Sequence, residues 1–563
     1  MRRVKTSSNI QTVLLLVSTV LLLTLVVFPL ITLFGKAFEG RDGSFAGFAN
    51  FIRYFSFPNF RASVNNSIYI STVTTIIAVF FGFFYAYAIK RTGIKGKTVL
   101  KFSAMLPLFA PTMMLGIGLI YLFGNQGLIT SLGVKLPLYG SFGIITAETV
   151  YVFPQVVLIM LVSFSHADNR LYEAADVMGT SPLKKFFTIT LPSVKYGLIS
   201  STFVAFSLSF TDFGAPKVVG GNFNVLATDI FRHVVGQFNF VMGAVVGILL
   251  MTPAVLSFIV DRLTQSKNQY TVTSKTVDFI IKPHKGRDNI YTFYCVVINI
   301  IIFTLFGTVV FASMIRLWPY DLSLTLQYYF KDHPSLGGIS SYINSITVAL
   351  LTAIIGTVLV FINAYLVEKT RNAKLLRQTS YFLSLLPLAL PGLAIGIAFI
   401  FFFTLPGNPM NILFGSMWIL VVANLVHFYS VPFVTATSSL KKLDKEFETV
   451  SESMQVPFYK TFFKVSLPMC APAILEILVY FFVNSMVTVS AVIFLYPPHF
   501  RLASVAITNM EEVGESARAA ALSVLIVLTN IAVRGLYELI NRYLLIRKNR
   551  YQKITEKMEE IND

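Results

Sequence analysis

The chain has 563 residues, of which 55% are hydrophobic and 13% charged, and its mean hydropathy is +0.70. Average soluble domains carry about 25% charged residues, so this composition excludes an ordinary soluble globular protein. The formal net charge of +18 would suit a nucleic-acid partner only if the basic residues formed one cluster.

Twelve apolar stretches are each long enough to cross a lipid bilayer. A hydrocarbon core about 30 Å thick requires roughly 20 apolar residues in a helix, and lipid offers no hydrogen-bond partner to an irregular backbone. The first stretch is too long for the core of a cleaved signal, which has about 7–15 residues. The sequence therefore predicts an all-α integral membrane protein with twelve transmembrane helices, at about residues 12–35, 66–89, 102–123, 141–165, 195–219, 240–260, 291–315, 343–367, 379–403, 412–435, 471–495 and 517–540.

Lysine and arginine residues are distributed unevenly between the two sides of the predicted membrane. If both termini are cytoplasmic, the inner segments hold 33 of these residues and the outer loops hold 11. This excess satisfies the positive-inside rule, so we expect both termini in the cytoplasm. The basic charge then reports topology, and we expect contact with membrane lipid and no nucleic-acid partner.

The second half of the chain repeats the first at an offset of 276 to 280 residues. Each half holds six predicted helices, an even number, so the halves share one orientation and form a parallel repeat. We predict a first repeat over 1–265, a cytoplasmic linker over 266–290, a second repeat over 291–545 and a cytoplasmic tail over 546–563. Matched pairs include Asn66 with Asn344, Pro107 with Pro387, Pro111 with Pro391, and Pro154 with Pro432. The first two proline pairs should kink the third and ninth helices.

Two matched segments, residues 168–192 and 444–468, carry the most specific pattern. The first reads Glu-Ala-Ala, then Gly after three residues, then Ile-x-Leu-Pro after nine more. Its apolar residues recur at helical spacing and predict one face of a short helix. That face consists of Leu171, Ala174, Ala175 and Met178. Asp168 is suited to cap the start of this helix, and Gly179 to end it in the left-handed conformation.

The second segment departs from the first at two important positions. Thr449 stands where the first segment has Glu173, with Glu448 beside it, and Gln455 replaces Gly179. Because glutamine is strained at positive φ and glycine is not, we expect the second helix to end differently and to dock more weakly.

The pattern resembles the EAA loop of bacterial ABC importer permeases, and the resemblance extends over nearly the whole chain. It implies two type I (MetI-like) permease repeats in a bacterial cytoplasmic membrane, an ATPase subunit dimer docked on the loops and an extracytoplasmic solute-binding protein. It also implies that the ATPase uses the ATP and that this chain binds no cofactor. The coupling residues would be Glu173, Ala174, Ala175 and Gly179 in the first loop, and Glu448, Thr449, Val450, Ser451 and Gln455 in the second.

No catalytic motif is found along the sequence. Gly96-Lys97-Thr98 imitates the end of a P-loop, but Arg91 stands where the motif requires glycine. Neither a metal-binding cluster nor a nucleophile–base set occurs at membrane depth. We therefore predict a transport subunit and not an enzyme. An ion-coupled secondary transporter is the competing class, against which stand the EAA spacing and the scarcity of carboxylates inside the membrane.

Two carboxylates in predicted membrane segments, Glu148 and Asp212, are candidates for the translocation path, because a charge at that depth costs at least ~2.5–3.5 kcal/mol. Asp212 precedes Gly214 and Pro216, which should break the fifth helix. The alternative for Asp212 is that it caps or braces the bent helix. The alternative for Glu148 is a pair with a lysine at a helix end.

Two further stretches, 211–217 and 489–496, resemble the permease branch that includes ferric-iron and 2-aminoethylphosphonate systems. Residues 447–475 are more similar to the aminoethylphosphonate members. The resemblance thus implies uptake of 2-aminoethylphosphonate or a related phosphonate, with ferric iron as the alternative.

Overall fold

The computed structural model describes residues 2–40, 43–165, 168–269, 279–370, 373–444 and 446–562. The first half contains helices α1 (Arg2–Leu22), α2 (Phe28–Ala37), α3 (Ala49–Ser56), α4 (Pro58–Arg91), α5 (Lys97–Ala104), α6 (Thr112–Phe123), α7 (Leu128–Ser131), α8 (Ser141–Ser165), α9 (Asn169–Val177), α10 (Pro182–Lys185), α11 (Leu191–Ser193), α12 (Lys195–Thr211), α13 (Gly214–Val219), α14 (Leu226–Phe231) and α15 (Phe240–Gln269).

The second half contains α16 (Lys285–Ser313), α17 (Gln327–Phe330), α18 (Ile339–Lys369), α19 (Lys374–Leu385), α20 (Gly392–Phe403), α21 (Met417–His427), α22 (Ser430–Lys441), α23 (Glu446–Ser453), α24 (Phe458–Thr461), α25 (Leu467–Met469), α26 (Ala471–Val487), α27 (Ala503–Glu512) and α28 (Ser516–Asn562). A short antiparallel hairpin, β1 (Ile315–Leu317) and β2 (Asp321–Leu324), follows α16. The middle of the predicted linker, 270–278, lies outside the described residues.

The membrane helices are less continuous than the sequence predicts. Eight described helices are long and apolar enough to cross a membrane, and three pairs bent by 55°, 75° and 114° bring the number to eleven if each pair is one span. The predicted stretch 195–219 divides into α12, which has 17 residues, and α13. The described structure therefore supports eight to eleven spans where the sequence predicts twelve.

Proline breaks the third and ninth predicted helices, as expected. A 3₁₀ turn, Leu106–Phe109, separates α5 from α6, and Leu386–Ala389 separates α19 from α20 with the bend of 114°. Proline lacks the N–H that continues a helix, so a carbonyl is freed at each break. The carbonyl of Phe109 accepts a hydrogen bond from Asn530 Nδ2, at 3.0 Å, on α28 of the other half.

The first membrane helix of each half packs against the opposite half. Helix α1 contacts α18 and α19, and α16 contacts α4, α5 and α6. One side-chain hydrogen bond joins the halves at each of these contacts. The partly buried Ser18 Oγ donates to Asn363 Oδ1 at 3.0 Å, and the buried Asn299 Nδ2 donates to Tyr85 Oη at 3.0 Å. Tyr85 and Asn363 occupy matched positions at an offset of 278.

We expect Asn363→Leu to lower the thermal stability of the detergent-solubilised chain more than Tyr85→Phe does. Asn363 is 1% exposed and also bonds Ser380, Ser384 and Tyr429, so the leucine leaves several buried groups without a partner, at about 1–3 kcal/mol each. Tyr85→Phe removes a single hydroxyl. Equal melting temperatures for the two variants would contradict the stabilising role of the buried hydrogen bonds of Asn363.

Candidate functional site: two coupling loops and a central cavity

The first loop folds into α9 with the ends that the sequence predicts. Asp168 Oδ1 accepts a hydrogen bond from the backbone N–H of Arg170 at 3.1 Å, which confirms the N-cap. Gly179 has φ +66°, and the N–H of Thr180 donates to the carbonyl of Ala175 at 2.9 Å. This pair of features is a Schellman motif, which satisfies carbonyls at the end of a helix.

The second loop ends its helix, α23, in the same way, so the expectation of a different end is wrong. Gln455 has φ +54°, and the N–H of Val456 donates to the carbonyl of Ser451 at 2.9 Å. The left-handed conformation costs a residue other than glycine roughly 1–2 kcal/mol. The closing hydrogen bond offsets this strain by satisfying a carbonyl of the last turn.

Helices α9 and α23, which we call the coupling helices after the role that the resemblance implies, and the residues that end them turn the same positions outward. The exposed set is Leu171, Ala174 and Met178 in the first loop, and Phe447, Val450 and Met454 in the second, each pair at an offset of 276. Met178 is 81% exposed and Met454 72% exposed. Ala175 is buried at 7% exposure, so it does not share the exposed face that the sequence assigned to it. Its match Ser451 is half-buried and bonds Thr461.

The acidic residues of the two loops have different surroundings. Glu173 is exposed, and its Oε1 accepts a hydrogen bond from Asn169 Nδ2 at 2.7 Å. Glu448 turns inward and pairs with Lys369 Nζ at 2.7 Å. Thr449 is exposed at the position that matches Glu173. A carboxylate accessible to a partner therefore stands at this position in the first loop only.

A cavity of about 300 Å³ lies where the broken membrane helices of both halves meet. Its polar lining includes Thr112, Tyr151, Gln155, Thr211 and Asp212 from the first half, and His427, Ser430, Tyr480, Asn484 and Thr488 from the second. Asp212 is the one carboxylate among the described lining residues, which include neither lysine nor arginine. Its matched residue Thr488 also lines the cavity, so the two halves contribute equivalent positions.

The wall of this cavity uses a reciprocal pair of small residues. A Cβ added to Gly214 would lie 2.0 Å from Thr112 Oγ1, and one added to Gly392 would lie 2.2 Å from Ser490 Oγ. Thr112 matches Gly392, and Gly214 matches Ser490. In each half, two segments of the broken helices approach each other where one has a glycine and the other a hydroxyl residue. The glycine lies on the later segment in the first half and on the earlier segment in the second half.

Asp212 both lines the cavity and caps a helix. It lies in the break between α12 and α13, and its Oδ2 accepts a hydrogen bond from the N–H of Ala215 at 2.9 Å. Glu148 on α8 is 1% exposed and accepts a hydrogen bond from Ser209, so a hydroxyl and not a lysine contacts it. Glu148 is not among the described residues that line the cavity.

Sequence reasoning missed most of the cavity lining. Tyr151 lies on α8, His427 on α21, and Tyr480 and Asn484 on α26, and only packing brings these three helices together around the cavity. The usable signal was their position at membrane depth, where an unpaired polar group is costly.

Comparison with known proteins agrees with this architecture. The family model described as "Binding-protein-dependent transport system inner membrane component" matches twice, at residues 78–270 and 368–545. The ferric transport system permease protein FbpB of Actinobacillus pleuropneumoniae is 28% identical over 84% of this chain and 70% of its own length. A second ferric transport system permease homologue, from Haemophilus influenzae, is 26% identical over 85% of this chain and 77% of its own.

A shorter relative aligns with only part of the chain. The molybdenum transport system permease protein ModB of Escherichia coli is 32% identical over 26% of this chain and 67% of its own length. The two family matches together cover more than half of the chain. The chain therefore belongs to the family of binding-protein-dependent transport system inner membrane components, as a fused, double-length permease subunit of an ABC importer that crosses the inner membrane several times and is not an enzyme.

Proposed function

We propose that the two coupling loops dock on a dimer of ATPase subunits, one loop on each subunit, while an extracytoplasmic binding protein delivers the solute to the central cavity. Both termini are then cytoplasmic, which is the orientation favoured by the excess of 33 over 11 basic residues. The ATPase subunits bind and use the ATP, and this chain holds no cofactor.

The observation that carries this proposal is the matched pair of exposed apolar faces. Two short helices, one in each half, present apolar side chains at the same three positions and end in the same left-handed cap. Exposed apolar patches of this kind mark protein interfaces. Glu173, Ala174 and Gly179 of the first loop, with Thr449, Val450 and Gln455 of the second, lie at the exposed surface, whereas Ala175, Glu448 and Ser451 support the helices from inside.

For the solute we propose ferric iron. Two relatives that match most of the chain are ferric permeases. The cavity also offers a carboxylate, an imidazole and two phenols, and its described lining has no lysine or arginine to face an anion. Oxygen and imidazole groups suit iron. The phosphonate prediction rests on the resemblance of residues 447–475 and gains no support from these relatives.

The proposed function is tested in proteoliposomes that contain this chain with its ATPase. We expect iron-loaded binding protein to stimulate ATP hydrolysis and to drive uptake of radiolabelled iron, and the chain without its ATPase to do neither. Uptake of labelled 2-aminoethylphosphonate under the same conditions would replace the substrate but keep the function. Concentrative uptake by the chain alone, driven by an ion gradient, would reject the function.

The cap residues give a second test. Gly179→Val should reduce co-purification of the ATPase, because a β-branched residue is strained at φ +66° by roughly 1–2 kcal/mol. Gln455→Val should cause a smaller loss, because glutamine at φ +54° already bears much of this strain, whereas Gln455→Gly should keep or improve binding since it removes the strain. Weaker binding by Gln455→Gly than by the parent chain would show that the left-handed cap does not set the shape of the second loop.

The two roles of Asp212, lining the cavity and capping a helix, can be separated by substitution. Asp212→Asn keeps an oxygen that can accept the bond from Ala215 but removes the charge, so we expect normal thermal stability with reduced iron uptake. Asp212→Ala removes both and should lower stability and uptake together. Normal uptake per folded Asp212→Asn molecule would leave Asp212 with the capping role alone.

A further inference from the structure

We propose that residues 279–284, which we call the strap, hold the first coupling helix in position for its ATPase subunit. The strap is the described end of the segment that joins the two halves, and it leads directly into α16. The second coupling helix has no need of a strap because an ion pair within its own half fixes it. This inference rests on the proposed docking of an ATPase.

Arg91 is the last residue of α4 and a buried cation. Arg91 is 2% exposed, and its Nη2 donates to the carbonyl of Phe164 at 3.1 Å. Among the described residues, neither its Nε nor its Nη1 has a hydrogen-bond partner. A buried cation without a carboxylate is costly unless other groups stabilise the charge.

Aromatic rings surround this cation, and the strap supplies the nearest one. The guanidinium carbon lies 4.0 Å from the centroid of Phe279, 5.2 Å from that of Tyr172 on α9 and 5.7 Å from that of Phe164. The rings of Tyr172 and Phe279 also meet edge to face, with centroids 4.9 Å apart. Arg91 thus joins α4, α9 and the strap through cation–π contacts.

The strap makes two further contacts with α9. The N–H of Ile280 donates to Asn169 Oδ1 at 3.1 Å, and Asn169, which is 4% exposed, donates in turn to Glu173. Lys282 Nζ lies 2.7 Å from Asp176 Oδ2. Hydrogen bonds from Lys185 and Lys282 lower the pKa of Asp176 to about 2, so this carboxylate is ionised at neutral pH. The Lys282 side chain is 75% exposed, so the ring and backbone contacts matter more than this ion pair.

The other end of the strap is tied to the second half of the chain. Arg287 Nη2, on α16, donates to the carbonyl of Lys282 at 2.7 Å. Helix α16 packs in turn on α4, α5 and α6. The position of α9 therefore depends on a segment that it does not contain and on the first helix of the opposite half.

At the matched positions of the second half, an ion pair takes the place of the cation–π contacts. Lys369 occupies the position of Arg91 at an offset of 278, and Glu448 occupies that of Tyr172 at 276. Lys369 Nζ and Glu448 Oε1 are 2.7 Å apart, with side chains 8% and 17% exposed. The shielded carboxylate of Glu448 neutralises the charge of Lys369, so this contact needs no aromatic ring from another segment.

The test compares Phe279→Ala with Phe293→Ala, in which a 72% exposed ring of α16 is removed instead. In the chain without ATPase, we expect Phe279→Ala to speed hydrogen exchange at 169–177 on the order of tenfold, the scale of one desolvated cation–ring contact. Exchange at 446–453 should not change. In the complex, iron uptake per ATP hydrolysed should fall. Unchanged exchange at 169–177 would overturn the proposal.

A rescue experiment separates positioning from a general loss of stability. Arg91→Lys with Tyr172→Glu transplants the ion pair of the second half, and in the Phe279→Ala background it should restore slow exchange at 169–177 and the uptake ratio. A folded triple variant that still exchanges fast would overturn the proposal. If exchange behaves as expected but the parent chain binds no ATPase, the strap stands as a positioning element and the proposed function fails.

Discussion

The backbone inside a membrane must satisfy its own hydrogen bonds, and this constraint governs where the helices of this chain can break. Two of the breaks are covered by side chains of the protein. Asn530 of the second half bonds the carbonyl of Phe109, and Asp212 bonds the N–H of Ala215. The central cavity lies beside broken helices of both halves, and residues next to the breaks line it. Irregular backbone at this depth is tolerated where it lines such a cavity.

The two halves share an architecture but differ at the positions that handle charge. Asp212 is matched by Thr488, Arg91 by Lys369 and Tyr172 by Glu448. The last two differences compensate each other. In the first half the guanidinium of Arg91 lies over the ring of Tyr172, and in the second half the ammonium of Lys369 pairs with the carboxylate of Glu448. Arginine stacks on aromatic faces and is more weakly hydrated than lysine, which fits this division. Fusion of the halves allows the asymmetry, because a single chain always places the same linker beside the first loop.

Local sequence determined those features that depend on neighbours in the chain. The membrane class follows from composition, the repeat from matched residues, and the breaks at Pro107 and Pro387 from the missing N–H of the prolines within and after each 3₁₀ turn. The N-cap at Asp168 and the left-handed stop at Gly179 were predictable because both involve bonds within a few residues. The left-handed end at Gln455 also depends on bonds within a few residues. The expectation of a different end was wrong because it weighed the strain at Gln455 and not the hydrogen bond that the turn gives to a helix carbonyl.

Tertiary structure decided everything that depends on residues distant in sequence. Spacing alone placed Ala174 and Ala175 on one face, whereas in the folded chain Ala175 is buried and Ala174 stays exposed. The same holds for the cavity, whose polar residues lie on several helices distant in sequence and come together only when the halves meet. The role of Phe279 was invisible because its partners, Arg91 and Tyr172, precede it by more than 100 residues. A periodic pattern reports which side of a helix is apolar, but only the assembled fold determines what covers that side.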